Sequence, residues 1–310
     1  MEASLSAIAR TDVPVAGGTL ATFRLGEAPD GADPVLAIHG ITANSHSWLA
    51  VARALEGRAA LLALDLRGRA ASREVPPPFG MEAYARDLLA VLDHTGLERT
   101  VLVGHSLGAY AVARFAADHP SRVRAAVLVD GGLTLPVPEG VDPQAVAAAV
   151  LGPALARLKL TFATREAYHD WWRAHPAFAA ADVLDTDLVA YADHDLVGQA
   201  PSLQSSVSEA VVRADAGELL EIGKPAHRLE VPAVLLCAER GMVDDPNPIQ
   251  PPALARAWAE AAPQTRATER VPGVNHYTIV MGAAGAGVVA NVIVRALQSH
   301  AGDPGLRSGR

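Results

Sequence analysis

The stretch VLVGHSLGA, residues 101–109, places a serine between two glycines, directly after an apolar run and directly before a helical pattern. A strand that turns into a helix within a few residues needs small side chains beside the turn, because a Cβ there would collide with neighbouring backbone. The same turn pushes its central side chain out of the strand end, exposed to substrate and rigidly aimed. We therefore expect a strand, a sharp turn and a helix, with Ser106 as a candidate nucleophile. A helix N-cap serine in a glycine-rich turn is the alternative.

The rest of the first half alternates short β-branched runs with helical patterns, which predicts an α/β fold with a mostly parallel, doubly wound sheet. Residues 13–18 and 20–26 are typical of an opening hairpin. In doubly wound sheets the functional groups collect at the carboxyl ends of the strands. Strand candidates are 35–39, 60–65, 100–104 and 125–130, and helical patterns lie near 47–56, 81–96 and 107–119.

The pattern changes after the sixth predicted strand. From about Leu135 to His227 there is no strand candidate, and Ala-rich and aromatic helical patterns follow one another. Strand and helix patterns then resume at 231–238, 252–262 and 267–272, followed by a small-residue helix. With 310 residues, half of them apolar, the chain is long enough for one large domain with an insertion. We predict a core of 1–134 and 229–300, a helical cap of 135–228 and a mobile tail of 301–310.

Charge and cysteine content restrict the class of partner and the compartment. The formal net charge is −8 and the basic residues are scattered, which argues against a nucleic-acid surface. The single cysteine, Cys237, lies in an apolar run and allows no internal disulfide, as expected in a reducing compartment. The N-terminal residues have neither the basic region nor the apolar stretch of a signal peptide, so we expect a cytoplasmic protein.

One uncharged stretch, 277–294, has the length of a membrane span. Three glycines and Asn291 interrupt its apolar surface, and no aromatic belt accompanies it. We expect a buried helix packed against the sheet and no membrane association. The glycines 282, 285 and 287 are also in the wrong order for a dinucleotide-binding fingerprint.

A serine nucleophile needs a base to take its proton. Among the 11 histidines, His276 is the best placed, because it lies between the last predicted strand and the terminal helix. His105 belongs to the turn itself and is expected to point away from the nucleophile. His46 and His194 remain candidates for facing the pocket.

These motifs together resemble the α/β-hydrolases, in particular the capped branch that includes esterase-like and epoxide-hydrolase-like members. The resemblance extends over residues 12–300 and implies that nucleophile, acid and histidine follow in that chain order. The cap matches in position and helical character only. The residues that carry the resemblance are His39-Gly40, DLRGR at 65–69, GHSLG at 104–108, LVDGG at 128–132 and NHYT at 275–278.

The acid of the triad has two candidates. Family members commonly carry it after the seventh strand in a pattern like G-E-x-D, but the matching residues 238–241 have glycine where the aspartate is expected. Asp244 lies three residues further on, in a Pro-rich loop, and Asp130 ends the sixth strand. The acid must hold the imidazole through a fixed hydrogen bond, which favours the more rigid Asp130. A turn-capping carboxylate is the alternative interpretation of Asp130.

The resemblance also implies an oxyanion hole made by the backbone N–H groups of Ile41 and Leu107, with Gly40 shaping the loop. Relatives that open epoxides or remove halides attack with aspartate, so a serine indicates acyl transfer. We expect hydrolysis of a small-to-medium apolar carboxylic ester, thioester or lactone, with no metal or organic cofactor.

The cap aromatics Trp171, Trp172 and Tyr191 are candidates for lining the substrate pocket, and they could equally pack the cap against the core. Carbon–carbon bond hydrolysis or lyase chemistry on the same triad remains an alternative reaction. A ligand-binding, receptor-like protein with little turnover is the alternative from a different class. The natural substrate and the oligomeric state stay open.

Overall fold

The computed structural model describes residues 8–134, 140, 152, 155–179, 182–216, 218 and 222–298. Its centre is an eight-stranded sheet with the strand order β1-β2-β4-β3-β5-β6-β9-β10. The strands are β1 (Ala9–Val15), β2 (Gly18–Leu25), β3 (Val35–Ile38), β4 (Leu61–Leu64), β5 (Thr100–His105), β6 (Val123–Val129), β9 (Ala233–Ala238) and β10 (Arg266–Val271).

The sheet is mixed but mostly parallel. β2 pairs antiparallel with β1 on one side and with β4 on the other. All other neighbouring strands of this sheet run parallel. Every residue of β3, β4, β5 and β9 is buried, because helices cover both faces of a parallel sheet. The predicted α/β class, and the insertion after the sixth strand, are confirmed.

Alternate residues of each central strand enter two separate hydrophobic clusters, one on each face of the sheet. Val101 and Val103 of β5 join the first cluster, and Leu102 between them joins the second. The first cluster packs on α1 and α9, and the second on α2, α3 and α7. The helices are α1 (Leu49–Ala54), α2 (Met81–His94), α3 (Leu107–Asp118), α4 (Arg165–Arg173), α5 (Asp185–Asp195), α6 (Glu209–Ala216), α7 (Pro252–Glu260), α8 (Thr278–Met281) and α9 (Ala283–Gln298).

The described part of the insertion contains α4, α5 and α6, and also a two-stranded hairpin of β7 (Leu196–Gln199) and β8 (Ser202–Ser205). The expectation of no strand between Leu135 and His227 is therefore wrong. Each strand has four residues and is largely exposed, so the apolar alternation that marks a half-buried strand is missing. Backbone hydrogen bonds between Phe162 and Leu203 anchor the hairpin within the cap.

Polar contacts fasten the cap to the core. His194 of α5 contacts the buried carboxylate of Asp65 at 2.7 Å, and Asn44 donates to the carbonyl of Tyr191 at 3.0 Å. Burial alone would raise the pKa of Asp65, but His194, His39 and the N–H of Ser45 together outweigh it and the pKa is lowered. His46 stacks on His194 at 4.0 Å between ring centroids, and burial, followed by the charge of His194, lowers its pKa to about 4.

Residues 277–294, which have the length of a membrane span, are divided between α8 and α9. Both helices pack on the first hydrophobic cluster through side chains such as Ile279, Val289 and Ile293. Within the described ranges, no helix combines the length and the apolar character that crossing a membrane requires.

The division into a core of 1–134 and 229–300 and a cap of 135–228 stays a prediction. The predicted mobile tail, 301–310, and most of residues 135–154 of the predicted cap lie outside the described residues.

Candidate active site

Ser106 occupies a sharp turn between β5 and α3. Its backbone angles are φ 54° and ψ −120°, a combination that residues other than glycine rarely adopt. The N–H of Ser106 donates to the carbonyl of Val129 at 2.9 Å, and its own carbonyl accepts from Ala109 at 2.9 Å. The turn is therefore tied to both the adjacent strand and the following helix, and the predicted strand–turn–helix is present.

The glycines on either side of Ser106 permit this turn by close approach of backbone to backbone. A Cβ on Gly104 would lie 2.2 Å from the carbonyl oxygen of Gly108. A Cβ on Gly108 would lie 2.1 Å from the carbonyl oxygen of Ile38 in β3. Because both obstacles are main-chain atoms of buried elements, neither can move aside as a flexible side chain could.

His276 and Asp130 meet below the surface beside this turn. His276 Nδ1 lies 2.6 Å from Asp130 Oδ2, and both side chains are buried. Since a carboxylate only accepts, Nδ1 carries the proton in a neutral His276, and Nε2 is left as the acceptor. The other carboxylate oxygen of Asp130 accepts from the N–H of Ala238 at 3.0 Å, so two fixed partners hold it.

Asp244, the alternative acid, lies elsewhere. Its carboxylate pairs with Arg240 at 2.8 Å, and it accepts weakly from Asn275 at 3.3 Å. The side chain is 39% exposed, whereas that of Asp130 is fully buried. Of the two carboxylates, Asp130 is the one that His276 contacts.

Ser106 and His276 line one small cavity. Its volume is about 30 Å³, which has room for about two water molecules at ~10–15 Å³ each. Among the described residues, no Asp, Glu, Lys or Arg side chain lines it. The lining residues are Gly40, Ile41, Thr42, Ala43, Ser47, His105, Ser106, Tyr191, Met242, His276, Tyr277, Val280 and Met281.

The two predicted oxyanion donors belong to segments beside Ser106. Ile41 lines the cavity in the loop after β3, next to Gly40, on which a Cβ would lie 3.2 Å from the Cβ of Ser106. Leu107 is the first residue of α3, where the N–H precedes any intrahelical acceptor. The structure places both segments beside Ser106, and their role as oxyanion donors stays a prediction.

His39 is buried beneath the loop after β3. Its Nε2 accepts from the N–H of Leu66 at 3.0 Å, and its Nδ1 donates to the carbonyl of Gly40 at 2.7 Å. Burial lowers the pKa of His39 to about 4 against the raising effect of Asp65, so the ring is neutral near pH 7.

His105 faces the cavity, contrary to the expectation that it points away from the nucleophile. Its ring lies 4.6 Å from the ring of His276, and its Nε2 donates to the carbonyl of His276 at 2.8 Å. Burial, followed by the charge of His276, lowers the pKa of His105 well below its usual value. His46 and His194, which were candidates for facing the pocket, do not line it.

The cap aromatics divide by position. Tyr191 lines the cavity, whereas Trp171 and Trp172 do not. Trp172 is buried behind the lining, with its ring 5.2 Å from that of Tyr191 and 6.3 Å from that of Tyr277. Trp172 therefore supports two lining residues, and Trp171 packs on it at 5.0 Å.

Sequence reasoning missed several lining residues. Tyr277, Val280 and Met281 have the i, i+3, i+4 spacing that places side chains on one face of a helix, which is the signal that could have identified them. Met242 follows the empty acid position, and no local pattern marks it. Within the described ranges, no group of three or more His, Cys, Asp or Glu side chains is arranged to hold a metal ion.

Comparison with known families decides the class. Residues 33–282 match the family described as alpha/beta hydrolase fold. The chain belongs to the α/β hydrolase family. That match spans β3 to α8 and so includes the turn at Ser106, the strand end at Asp130 and the loop of His276.

Individual relatives of this α/β hydrolase match over shorter or more divergent stretches. It is 38% identical over 117 residues to the putative carbamate hydrolase RutD of Klebsiella pneumoniae (strain 342), covering 36% of this chain and 44% of the relative. The chain thus spans less than half the length of that curated relative. Among solved structures, it is similar to E-2-(acetamidomethylene)succinate hydrolase, with a TM-score of 0.77, 19% identity and coverage of 94% and 100% of the two chains.

It is also similar to the carboxylesterase CesB of Bacillus subtilis, with a TM-score of 0.64, 16% identity and coverage of 93% and 92%. At these identities, the two structural likenesses show the fold.

Gly108→Ala tests the packing of the turn. We expect a loss in the free energy of unfolding of about 3 kcal/mol, at the upper end of the overpacking range, because the new methyl group meets the main chain of β3. Urea unfolding measures this loss. Gly287→Ala in α9 is the matched control, since a Cβ there meets nothing within 4 Å, and it should be neutral or slightly stabilising. Equal losses in the two variants would contradict the close approach at Gly108.

Proposed function

We propose that this protein is a serine hydrolase that cleaves a small apolar carboxylic ester, thioester or lactone through an acyl-enzyme on Ser106. The observation that carries the proposal is the hydrogen bond between His276 Nδ1 and Asp130 Oδ2 at 2.6 Å, beside a cavity that His276 shares with Ser106. A carboxylate that fixes the tautomer of a histidine next to a strained serine is the arrangement that acyl transfer requires.

The reaction would begin with attack of Ser106 Oγ on the carbonyl carbon while His276 Nε2 takes the hydroxyl proton. The carbonyl oxygen becomes an oxyanion, which the N–H groups of Ile41 and Leu107 would stabilise. Collapse of this intermediate breaks the bond to the leaving alcohol or thiol, which receives the proton from His276. A water then gives its proton to His276 and attacks the acyl-enzyme carbonyl. Collapse of this second intermediate breaks the bond to Ser106 Oγ, which takes the proton back from His276, and the carboxylic acid is released.

The cavity favours a short acyl group without charge. At about 30 Å³ the cavity beside Ser106 is small, and its lining side chains are mainly apolar. A carboxylate on the substrate would find no Arg or Lys among the described lining residues to offset its desolvation. A longer acyl chain would require displacement of Tyr191, Met242 or Met281.

The receptor-like alternative is favoured by the missing aspartate at the family's usual acid position, residues 238–241 at the end of β9. The hydrogen bond between Asp130 and His276 argues against that alternative, because a carboxylate that directly follows β6 can serve as the acid. The names of RutD, a putative carbamate hydrolase, and of CesB, a carboxylesterase, also favour hydrolysis over binding alone.

Hydrolysis of p-nitrophenyl acetate, butyrate and octanoate tests the proposal. We expect turnover by the wild type with acetate at least about 10-fold better than octanoate in kcat/KM, since overfilling a packed pocket costs ~1–3 kcal/mol. Ser106→Ala should lower kcat by at least about 10³-fold, because the nucleophile is lost while the binding groups remain. Release of p-nitrophenolate at pH 8 measures both.

Three outcomes would count against parts of this proposal. Background rates on every ester would exclude simple esterase chemistry and favour carbon–carbon hydrolysis or ligand binding. A preference for octanoate would contradict the small acyl site but retain the serine mechanism. Unchanged turnover in Ser106→Ala would exclude Ser106 as the nucleophile.

Asp130→Asn and Asp244→Asn assign the acid. We expect Asp130→Asn to lower kcat by about 10³–10⁴-fold, because an amide cannot hold the productive tautomer of His276. Asp244→Asn should change kcat by less than about threefold, since its carboxylate pairs with Arg240 at the surface. Steady-state kinetics on p-nitrophenyl acetate measures the two, and the reverse ranking would contradict Asp130 as the acid.

A further inference from the structure

The loop after β3 presents three consecutive carbonyl groups to buried side chains. We call residues 40–43 the oxyanion loop, since they include the proposed donor Ile41. The carbonyl of Gly40 accepts from His39 Nδ1 at 2.7 Å, and that of Ile41 accepts from Arg69 Nε at 3.0 Å. The carbonyl of Thr42 accepts from Arg157 Nη2 at 2.8 Å. Each of the three donors comes from a different segment of the chain.

These contacts control the direction of the Ile41 N–H. A peptide unit is planar, and in the trans form its N–H points opposite to its C=O. The N–H of Ile41 shares its peptide unit with the carbonyl of Gly40, so the donor His39 fixes that plane directly. Contacts at the next two carbonyls fix the two following planes, and the loop retains little freedom to rotate the N–H away from an oxyanion.

The third of these donors, Arg157, lies in the cap. Its guanidinium is buried and also contacts Asp195 at 2.7 Å and the hydroxyl of Tyr168 at 2.7 Å. The ring of Trp172 lies 5.1 Å below it. Burial opposes the charge, but Tyr168, Asp195, Tyr191 and Tyr277 together outweigh it and raise the pKa of Arg157, so the donor remains protonated.

Arg69 makes the corresponding link from the core side. Its guanidinium is fully buried and pairs with the carboxylate of Asp215 in α6 of the cap, which also accepts from the hydroxyl of Tyr84 at 2.6 Å. Both arginines that contact the oxyanion loop thus pair with carboxylates of the cap. Seating of the cap and the shape of the loop are therefore connected through Arg69 and Arg157.

We propose that Arg157 is a positioning residue, which holds the oxyanion loop through the carbonyl of Thr42 and so makes transition-state stabilisation depend on the seated cap. The inference rests on the proposed function, in which the N–H of Ile41 stabilises the oxyanion. Arg157 does not line the cavity and therefore acts on the reaction through the loop, not on substrate.

Arg157→Met and Arg157→Lys test the proposal, with Arg67→Met as the matched control. The guanidinium of Arg67 is as buried as that of Arg157 and pairs with Asp87 at 2.5 Å, but its further contacts are the carbonyls of Pro76 and Pro78, outside the loop. The main-chain carbonyl of Arg67 accepts from Arg69 at 2.9 Å, and a change of the Arg67 side chain leaves that carbonyl in place. The lysine variant retains the positive charge opposite Asp195. It lacks the planar guanidinium, which contacts Asp195 and the carbonyl of Thr42 simultaneously. It keeps the proposal testable if the methionine variant fails to fold.

We expect both Arg157 variants to lower kcat on p-nitrophenyl acetate by about 10–100-fold with KM changed less than about threefold, because a displaced donor is lost mainly in the transition state. Arg67→Met should lower Tm to a similar extent but leave kcat within about threefold of the wild type. An equal fall in kcat for Arg67→Met, or a wild-type kcat in Arg157→Lys, would overturn the proposal.

Hydrogen–deuterium exchange gives a readout that needs no substrate. The peptide that contains residues 40–43 should exchange at least about 10-fold faster in Arg157→Lys than in the wild type, and at the wild-type rate in Arg67→Met. If the wild type releases no p-nitrophenol, the proposed function fails, while the exchange comparison still decides whether Arg157 holds the loop. Unchanged exchange in Arg157→Lys would refute that role.

Discussion

The site depends on one backbone constraint, the positive φ of Ser106. A serine in this conformation carries a local cost of ~1–3 kcal/mol, and it persists only where the surroundings allow no other arrangement. Here the surroundings are the main chains of β3, β5 and α3, which approach one another so closely at Gly104 and Gly108 that no side chain fits between them. The packing of the sheet against α3 therefore aims the serine.

The same edge of the sheet places the other groups. Asp130 follows β6 directly and also has a positive φ, of 46°, while His276 reaches it from the loop after β10. The oxyanion loop follows β3. The carboxyl ends of adjacent parallel strands lie at the same edge of the sheet, so residues that are distant in sequence come together there. The insertion between β6 and β9 also contacts this edge, because Arg157 and Asp215, the partner of Arg69, belong to it.

Much of this arrangement could be predicted from the sequence. Apolar runs and the strand–turn–helix pattern indicated the sheet, Ser106 and His276, and the argument that an acid needs a rigid strand end favoured Asp130, the carboxylate that His276 contacts. The β7–β8 hairpin could not be predicted, since its short exposed strands lack apolar alternation. The contact of Arg157 with Thr42 joins residues 115 positions apart, and nothing local marks it. For the same reason, sequence reasoning could not separate Tyr191, which lines the cavity, from Trp172, which packs behind it.

The most direct test of the account is covalent capture of the nucleophile by a small phosphonate. Incubation with ethyl p-nitrophenyl methylphosphonate, followed by mass spectrometry of the intact and digested chain, locates any adduct. The account predicts stoichiometric release of p-nitrophenol and a single phosphonylated residue, Ser106, because the strained turn exposes this hydroxyl beside His276. Absence of an adduct, or an adduct on another residue, would contradict the claim that the turn between β5 and α3 presents the catalytic nucleophile.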